Sequence, residues 1–253
     1  CWRCFSRGLP KNMQMNKLGR TGLKVSRLCL GTMTFGEQNT QAEGHRQLDM
    51  AFDNGVNFID TAEMYSFPGK PETQGSTEKI IGAWMKAKAN RSDVIVATKI
   101  TGPGSGLKHV RGGRFGFTRE NVAEAVDLSL QRLGTDYIDL YQTHWPERKA
   151  NYFGKLDYAH VEDDDTTPLE EQLDALADQV KAGKVRAIGI STHSESIMLS
   201  ALEELEGLDY IMFPYNFIHA RADYGEFLPK AIKKQVGLIA IKPLAAGSIV
   251  KLD

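Results

Sequence analysis

The chain has 253 residues, 42% hydrophobic and 25% charged, with 24 Gly, 9 Pro and 3 Cys, proportions that exclude a disordered chain, a collagen-like repeat and a disulfide scaffold. Lys and Arg number 31 against 32 Asp and Glu, a formal charge of -1, so no broad basic field draws nucleic acid or acidic lipid. No apolar run nears the roughly 20 residues of a membrane-spanning helix and no apolar h-region of a signal peptide opens the chain, which sets the expectation of a cytoplasmic protein that neither inserts into membranes nor binds nucleic acid.

Residues 1–12 read as a disordered leader, in which Cys1 and Cys4 form a C-x-x-C with no strand or helix pattern after it. Residues 13–253 read as one domain. Lys17–Arg27 reads as a short N-terminal β-hairpin turning at Gly19-Arg20-Thr21-Gly22. Seven apolar, β-rich runs follow: Arg27–Thr32, Asn57–Asp60, Val94–Lys99, Tyr137–Gln142, Arg186–Ser191, Asp209–Phe213 and Leu238–Lys242. Amphipathic helical stretches separate them, and that alternation argues parallel βαβ units.

The helices carry boundary signals of their own. Thr40-Gln41-Ala42-Glu43 is a capping box, and Gly55 closes that helix where a positive φ is needed. Val122, Ala125, Val126, Ser129 and Leu133 share one face of the stretch 118–133. Thr167-Pro168-Leu169-Glu170 reads as a second box with Pro at the first helical position, its helix ending at Gly183.

The spacing and the absence of a linker favour a (β/α)₈ TIM barrel, an α/β fold of about 250 residues, over an open doubly wound sheet. The turn after the first strand, Gly31-Thr32-Met33-Thr34-Phe35-Gly36, also lacks the G-x-G-x-x-G of a dinucleotide-binding unit. In a barrel the chemistry lies at the C-terminal ends of the strands.

Those ends carry Asp60, with Tyr65 in the loop beyond it, then Lys99, then His144 and Trp145. Singly each has a packing explanation: a turn cap, a half-buried loop aromatic, a strand-end cation, a core histidine. Together, four titratable groups of complementary chemistry at three consecutive strand ends point to a site. The task they fit is proton delivery to a carbonyl oxygen as hydride reaches its carbon. A phenol is a poor acid at neutral pH, and a neighbouring Lys99 ammonium is expected to lower its pKa. Asp60 would hold Lys99 charged, and His144 would orient the substrate oxygen. No protein side chain supplies hydride, so a nicotinamide cofactor is implied.

These residues and the stretches around them resemble the aldo-keto reductases, (β/α)₈-barrel oxidoreductases that use NADPH. The matching segments are Leu18–Ser26, Leu30–Gly36, Asn57–Tyr65, Ala97–Lys99 and Gln142–Pro146. The first two-thirds is similar to the bacterial branch near the potassium-channel β-subunits, including Gly154–Tyr158. From Gly189 onward, Gly189–Ser194, Met212–Asn216 and Ile241–Ala245 are similar to a separate aldo-keto-reductase-like branch.

The resemblance implies that Tyr65 is the acid/base and that Asp60, Lys99 and His144 complete the catalytic set. It implies cofactor contacts at Gly31, Thr32, Met33, Asp60, Ser191, Leu244, Ala246 and Ser248. Phe35 and Trp145 are expected at the substrate pocket, which suits small, partly apolar aldehydes or ketones. Departures stand beside these: Thr192-His193 where an asparagine is usual, Met212 at the end of strand 6, and Ile241-Lys242 where an aromatic usually stacks on the nicotinamide.

The family's eighth βα unit, with its basic segment for the adenosine 2′-phosphate, has no counterpart in the sequence, which sets the expectation of a barrel lacking that unit: either the chain is a truncated version of a longer protein, or an oligomer or another chain completes it. Two other readings follow from the resemblance: a nicotinamide-binding regulatory or sensor module with little turnover, and an inactive truncated scaffold. Smaller signals point to no chemistry. Lys108, His109, Arg111 and Arg114 read as a flexible basic loop, Glu162–Asp165 as a solvated acidic run, and no metal site is expected.

Overall fold

A computed structural model describes residues 13–103, 107–146, 167–218, 220, 222, 225–245 and 247. The expected leader, the segment Gly154–Tyr158 and the acidic run Glu162–Asp165 lie outside the described residues. Strands β1 (Met15–Lys17) and β2 (Lys24–Ser26) pair antiparallel. Strands β3 (Cys29–Gly31), β4 (Phe58–Asp60), β5 (Ile95–Ile100), β6 (Ile138–Thr143), β7 (Val185–Ser191), β8 (Tyr210–Pro214) and β9 (Gly237–Ile241) then form one seven-stranded sheet in chain order. Every neighbouring pair in it is parallel. Each of the seven expected strands is present, with no end shifted by more than two residues.

Among the described residues six α-helices lie between the strands: α1 (Gln41–Asp53), α2 (Ser76–Lys88), α3 (Arg119–Leu133), α4 (Leu169–Lys181), α5 (Glu195–Glu204) and α6 (Phe227–Lys233). Thr40 and Glu43 form the reciprocal capping box that starts α1. The buried face of α3 is the expected Val122, Ala125, Val126, Ser129 and Leu133. The start of α4 corrects the reading: Pro168 is the N-cap itself, one position before the first helical residue, and no side chain caps that end. With its φ fixed and no N–H to satisfy, proline closes the helix start without a partner.

Two apolar layers follow from the period-two alternation of the strands. Outward-facing residues pack under the helices around Ile81, Trp84, Val96, Val126 and Leu176. Inward-facing residues from both ends of the strand order, Phe58 of β4 through Leu140 to Tyr210 and Ile239, meet in a second cluster. A parallel sheet brings such distant strands together on one face only by curling toward a barrel. Leu18, Leu23 and Val25 join that inner cluster, so the β1–β2 hairpin floors the curl. Gly19 makes the docking close: at φ +49° a side chain there would stand 2.4 Å from the Gly237 nitrogen, and the Arg20 amide donates to the Gln235 carbonyl at 2.9 Å. Among the described residues no helix is long and apolar enough to cross a membrane.

Candidate active site

With the N-terminal end of the curl floored by the hairpin, the opposite end carries the polar residues. Asp60 pairs with Ala97 in the β4–β5 register, and Lys99, two residues on, shares the inward face of Ala97. Its amine donates to both carboxylate oxygens of Asp60 at 2.7 Å and to the Thr61 carbonyl at 2.6 Å. All three donors of an ammonium are thereby directed in a side chain 2% exposed. Burial works against charge on Lys99, but Asp60 and Tyr65 together hold its pKa above the ordinary value. Burial raises Asp60 while Lys99 draws it back. Two 2.7 Å contacts to one amine are the geometry of a carboxylate with an ammonium, so the pair is ionised.

Tyr65 lies over this pair, with the Lys99 amine 5.3 Å from its ring centre. Its hydroxyl is 3.3 Å from His144 Nε2, and the two rings meet edge to face. The structure corrects the expected phenol acidity. Burial raises the Tyr65 pKa, Lys99 opposes it, and Asp60 adds to the rise; desolvation outweighs the cation. His144 is pushed well below its ordinary value by burial, then by Lys99 and His193, so its imidazole is neutral at neutral pH. The arrangement is a protonated phenol beside a neutral imidazole and a fixed cation, which can give a proton to an oxygen developing negative charge.

Both rings open onto a cavity lined by Met33, Met64, Tyr65, Phe67, His144, Trp145, Ser191, Thr192, His193, Ile241 and Lys242. Of the expected contacts, Met33, Ser191 and Trp145 line it. Gly31 is exposed beside it in sequence, and the Thr32 hydroxyl is engaged by the Asp60 carbonyl at 2.8 Å. Phe35 is a correction: it is 1% exposed and packs under α1 and α2 with Leu48 and Ile80 rather than at the cavity, because the turn ending at Gly36 (φ +93°) carries it outward. Leu244 is exposed, and Ala246 and Ser248 lie outside the described residues. A wider depression over Gly36–Gln41, Ser76, Lys79 and Ile80 holds none of these groups. Among the described residues no His, Cys, Asp and Glu group could hold a metal.

Two pairs of residues at this site escaped the sequence reading. Glu63 is fully buried and Arg111, read as part of a flexible basic loop, is 8% exposed and bound to it at 3.1 Å. An acidic residue three past Asp60 inside an otherwise apolar segment was the available signal, since a carboxylate there must be paired. His193 and Lys242 are the other addition: Lys242 Nζ and His193 Nε2 stand 3.3 Å apart in the cavity wall, at positions that the sequence marks only as departures.

The chain is similar to known proteins of one family. The model of the "Aldo/keto reductase family" matches residues 27–253. "Protein tas" of Escherichia coli (strain K12) is 42% identical over 219 residues, 84% of this chain and 63% of the relative; the chain therefore spans less than two thirds of that protein's length. The uncharacterized oxidoreductase YrpG of Bacillus subtilis (strain 168) is 36% identical over 241 residues, 93% of this chain and 68% of YrpG. The crystal structure of the thermostable aldo-keto reductase Tm1743 with the inhibitor epalrestat is similar at a TM-score of 0.71 and 28% identity, over 93% of this chain and 74% of that one.

Proposed function

The chain belongs to the aldo/keto reductase family, and from that premise we propose that it reduces small, partly apolar aldehydes or ketones to alcohols with NADPH, Tyr65 giving the proton. The observation that carries this reading is the Lys99–Asp60 pair held behind the ring of Tyr65, whose hydroxyl meets His144 at a cavity that both rings line. The cavity wall fits the nicotinamide end of such a cofactor: Ser191 offers a hydroxyl beside apolar Ile241, and the buried Gln142 Oε1 on the same inward face has no hydrogen-bond partner in the structure. Ser191, Thr32 and Met33 would hold it.

When bound, the cofactor supplies hydride to the carbonyl carbon. The protein does the rest. Tyr65, protonated throughout the neutral range because burial raises its pKa, donates its hydroxyl proton to the carbonyl oxygen. Lys99 stabilises the phenolate left behind, and Asp60 fixes Lys99 beneath the ring. Neutral His144 orients the substrate oxygen from the other side. Met33, Met64, Phe67 and Trp145 enclose the carbonyl's apolar part and limit water.

The test is a titration with NADPH, followed by nicotinamide fluorescence, and then by oxidation of NADPH with a panel of aldehydes and ketones. Saturable binding with turnover supports the proposal. Saturable binding without turnover replaces the enzyme reading with that of a regulatory, cofactor-binding module. A folded chain that binds no NADPH refutes both.

A further inference from the structure

The segment that carries Tyr65 begins as a continuation of the sheet. The Thr61 amide donates to the Ala97 carbonyl at 2.9 Å and the Glu63 amide to the Lys99 carbonyl at 3.2 Å, the alternate rungs of a parallel ladder. The next rung would join the Tyr65 amide to the Thr101 carbonyl. Instead, the Tyr65 amide turns back to the Ala62 carbonyl at 3.0 Å.

Side chains occupy the vacated rung. The Thr101 amide donates to Glu63 Oε1 at 2.6 Å, and Arg111 reaches the Thr101 carbonyl at 3.5 Å. Arg111 also binds Glu63 through Nε at 3.1 Å and Nη2 at 3.2 Å, and donates to the Arg114 carbonyl at 2.7 Å. Both side chains are almost wholly removed from water, and Arg111 holds a left-handed backbone at φ +47°. Val110, beside Arg111, packs with Ala62, Met64, Tyr65 and Trp145. The Gln74 side chain completes the hold by donating to the Glu63 carbonyl at 2.7 Å.

We infer that the Glu63–Arg111 pair is the positioning element for the proton donor: by taking over the rung at Thr101 it ends the β4–β5 ladder at Glu63 and turns Tyr65 back over Lys99 and His144. The loop 107–114, which supplies Arg111, thereby sets the height of the phenol. The inference rests on the proposed role of Tyr65, and its test separates the two.

Glu63→Gln keeps an oxygen for the Thr101 amide but sets an amide donor against the guanidinium. In protein carrying ¹³Cζ-tyrosine, with Tyr65→Phe to assign the signal, the Tyr65 resonance is expected to shift in Glu63→Gln, as is that of Tyr141, which lies in the field of the Glu63 carboxylate, while the remaining tyrosine signals stay. This readout requires no turnover, so it decides the inference even if no carbonyl is reduced. In turnover, kcat is expected to fall about 100-fold, the effect of a displacement near 1 Å, with KM and NADPH affinity unchanged. Should Glu63→Gln fail to fold, Glu63→Gln/Arg111→Met removes both buried charges and is measured in its place, with the same two effects expected. A folded variant with the parent Tyr65 resonance or the parent kcat overturns the inference, as does a loss confined to KM.

Discussion

Lys99 Nζ stands 2.7 Å from each carboxylate oxygen of Asp60 and 5.3 Å from the centre of the Tyr65 ring. One buried amine therefore joins an anion that fixes it to a phenol that it can discharge. Lys99→Met removes the cation that lowers the Tyr65 pKa, so the phenol is expected to become a still weaker acid. Asp60, already raised by burial, can take up a proton rather than remain a stranded anion, which spares the fold. Carbonyl reduction is expected to fall at least about 100-fold while thermal unfolding stays cooperative; a variant that keeps parent turnover would remove Lys99 from the mechanism.

Tyr65→Phe keeps the ring against Ala62, Met64, Val110 and Trp145 and deletes only the hydroxyl. NADPH affinity is expected to be unchanged and carbonyl reduction to drop about 10²–10⁴-fold, the range of a lost general acid. Fluorescence titration and NADPH oxidation measure the two separately. Parent turnover would assign the proton to another group, with His144, 3.3 Å away, the next to test.

The strands and the site's four titratable groups are legible in the sequence for the same reason. Buried parallel strands read as apolar runs, so Asp60 and Lys99 at their ends stand out against them. What is not legible depends on which way a turn sends a side chain. Phe35 and Met33 are two residues apart in one turn, yet Met33 lines the cavity and Phe35 packs outward under α1 and α2. Arg111 sits in a glycine-rich stretch with the composition of a solvated loop, and only its pairing with Glu63, 48 residues earlier, buries it. The phenol's acidity failed on magnitude: the Lys99 effect has the expected sign, but the desolvation of Tyr65 exceeds it, and desolvation depends on how Val110 and Trp145, distant in sequence, pack around the ring.

His144 gives a stability prediction with a definite sign. Burial, Lys99 and His193 hold its pKa well below the ordinary 6.5. Below that value the unfolded chain takes up a proton that the folded chain refuses, so the contribution of His144 is present above 6.5 and is lost as pH falls toward the folded pKa. The side chain borders the cavity and is partly exposed, which screens the effect to at most about 1 kcal/mol per pH unit. Urea unfolding of the parent and His144→Gln on either side of that value should show a shallower loss of stability on acidification in the variant. Equal slopes would mean that His144 titrates normally.

Gly82, in the middle of α2, tests the packing that brings α2 against α3. A methyl group there would stand 2.5 Å from the Leu133 carbonyl oxygen and 2.8 Å from that of Arg132. Two effects of Gly82→Ala oppose each other. Alanine favours the helix over glycine by about 1 kcal/mol, whereas overpacking a tight contact costs about 1–3 kcal/mol. The obstructing atoms are backbone at the last turn of α3, followed at once by Gly134 in the left-handed conformation, so they cannot swing aside as a side chain would. Overpacking should therefore win, lowering the urea midpoint at unchanged slope by an amount equivalent to about 1–2 kcal/mol. A raised midpoint would show that α3 slides outward at little cost and that the close approach at Gly82 is not what holds the two helices in register.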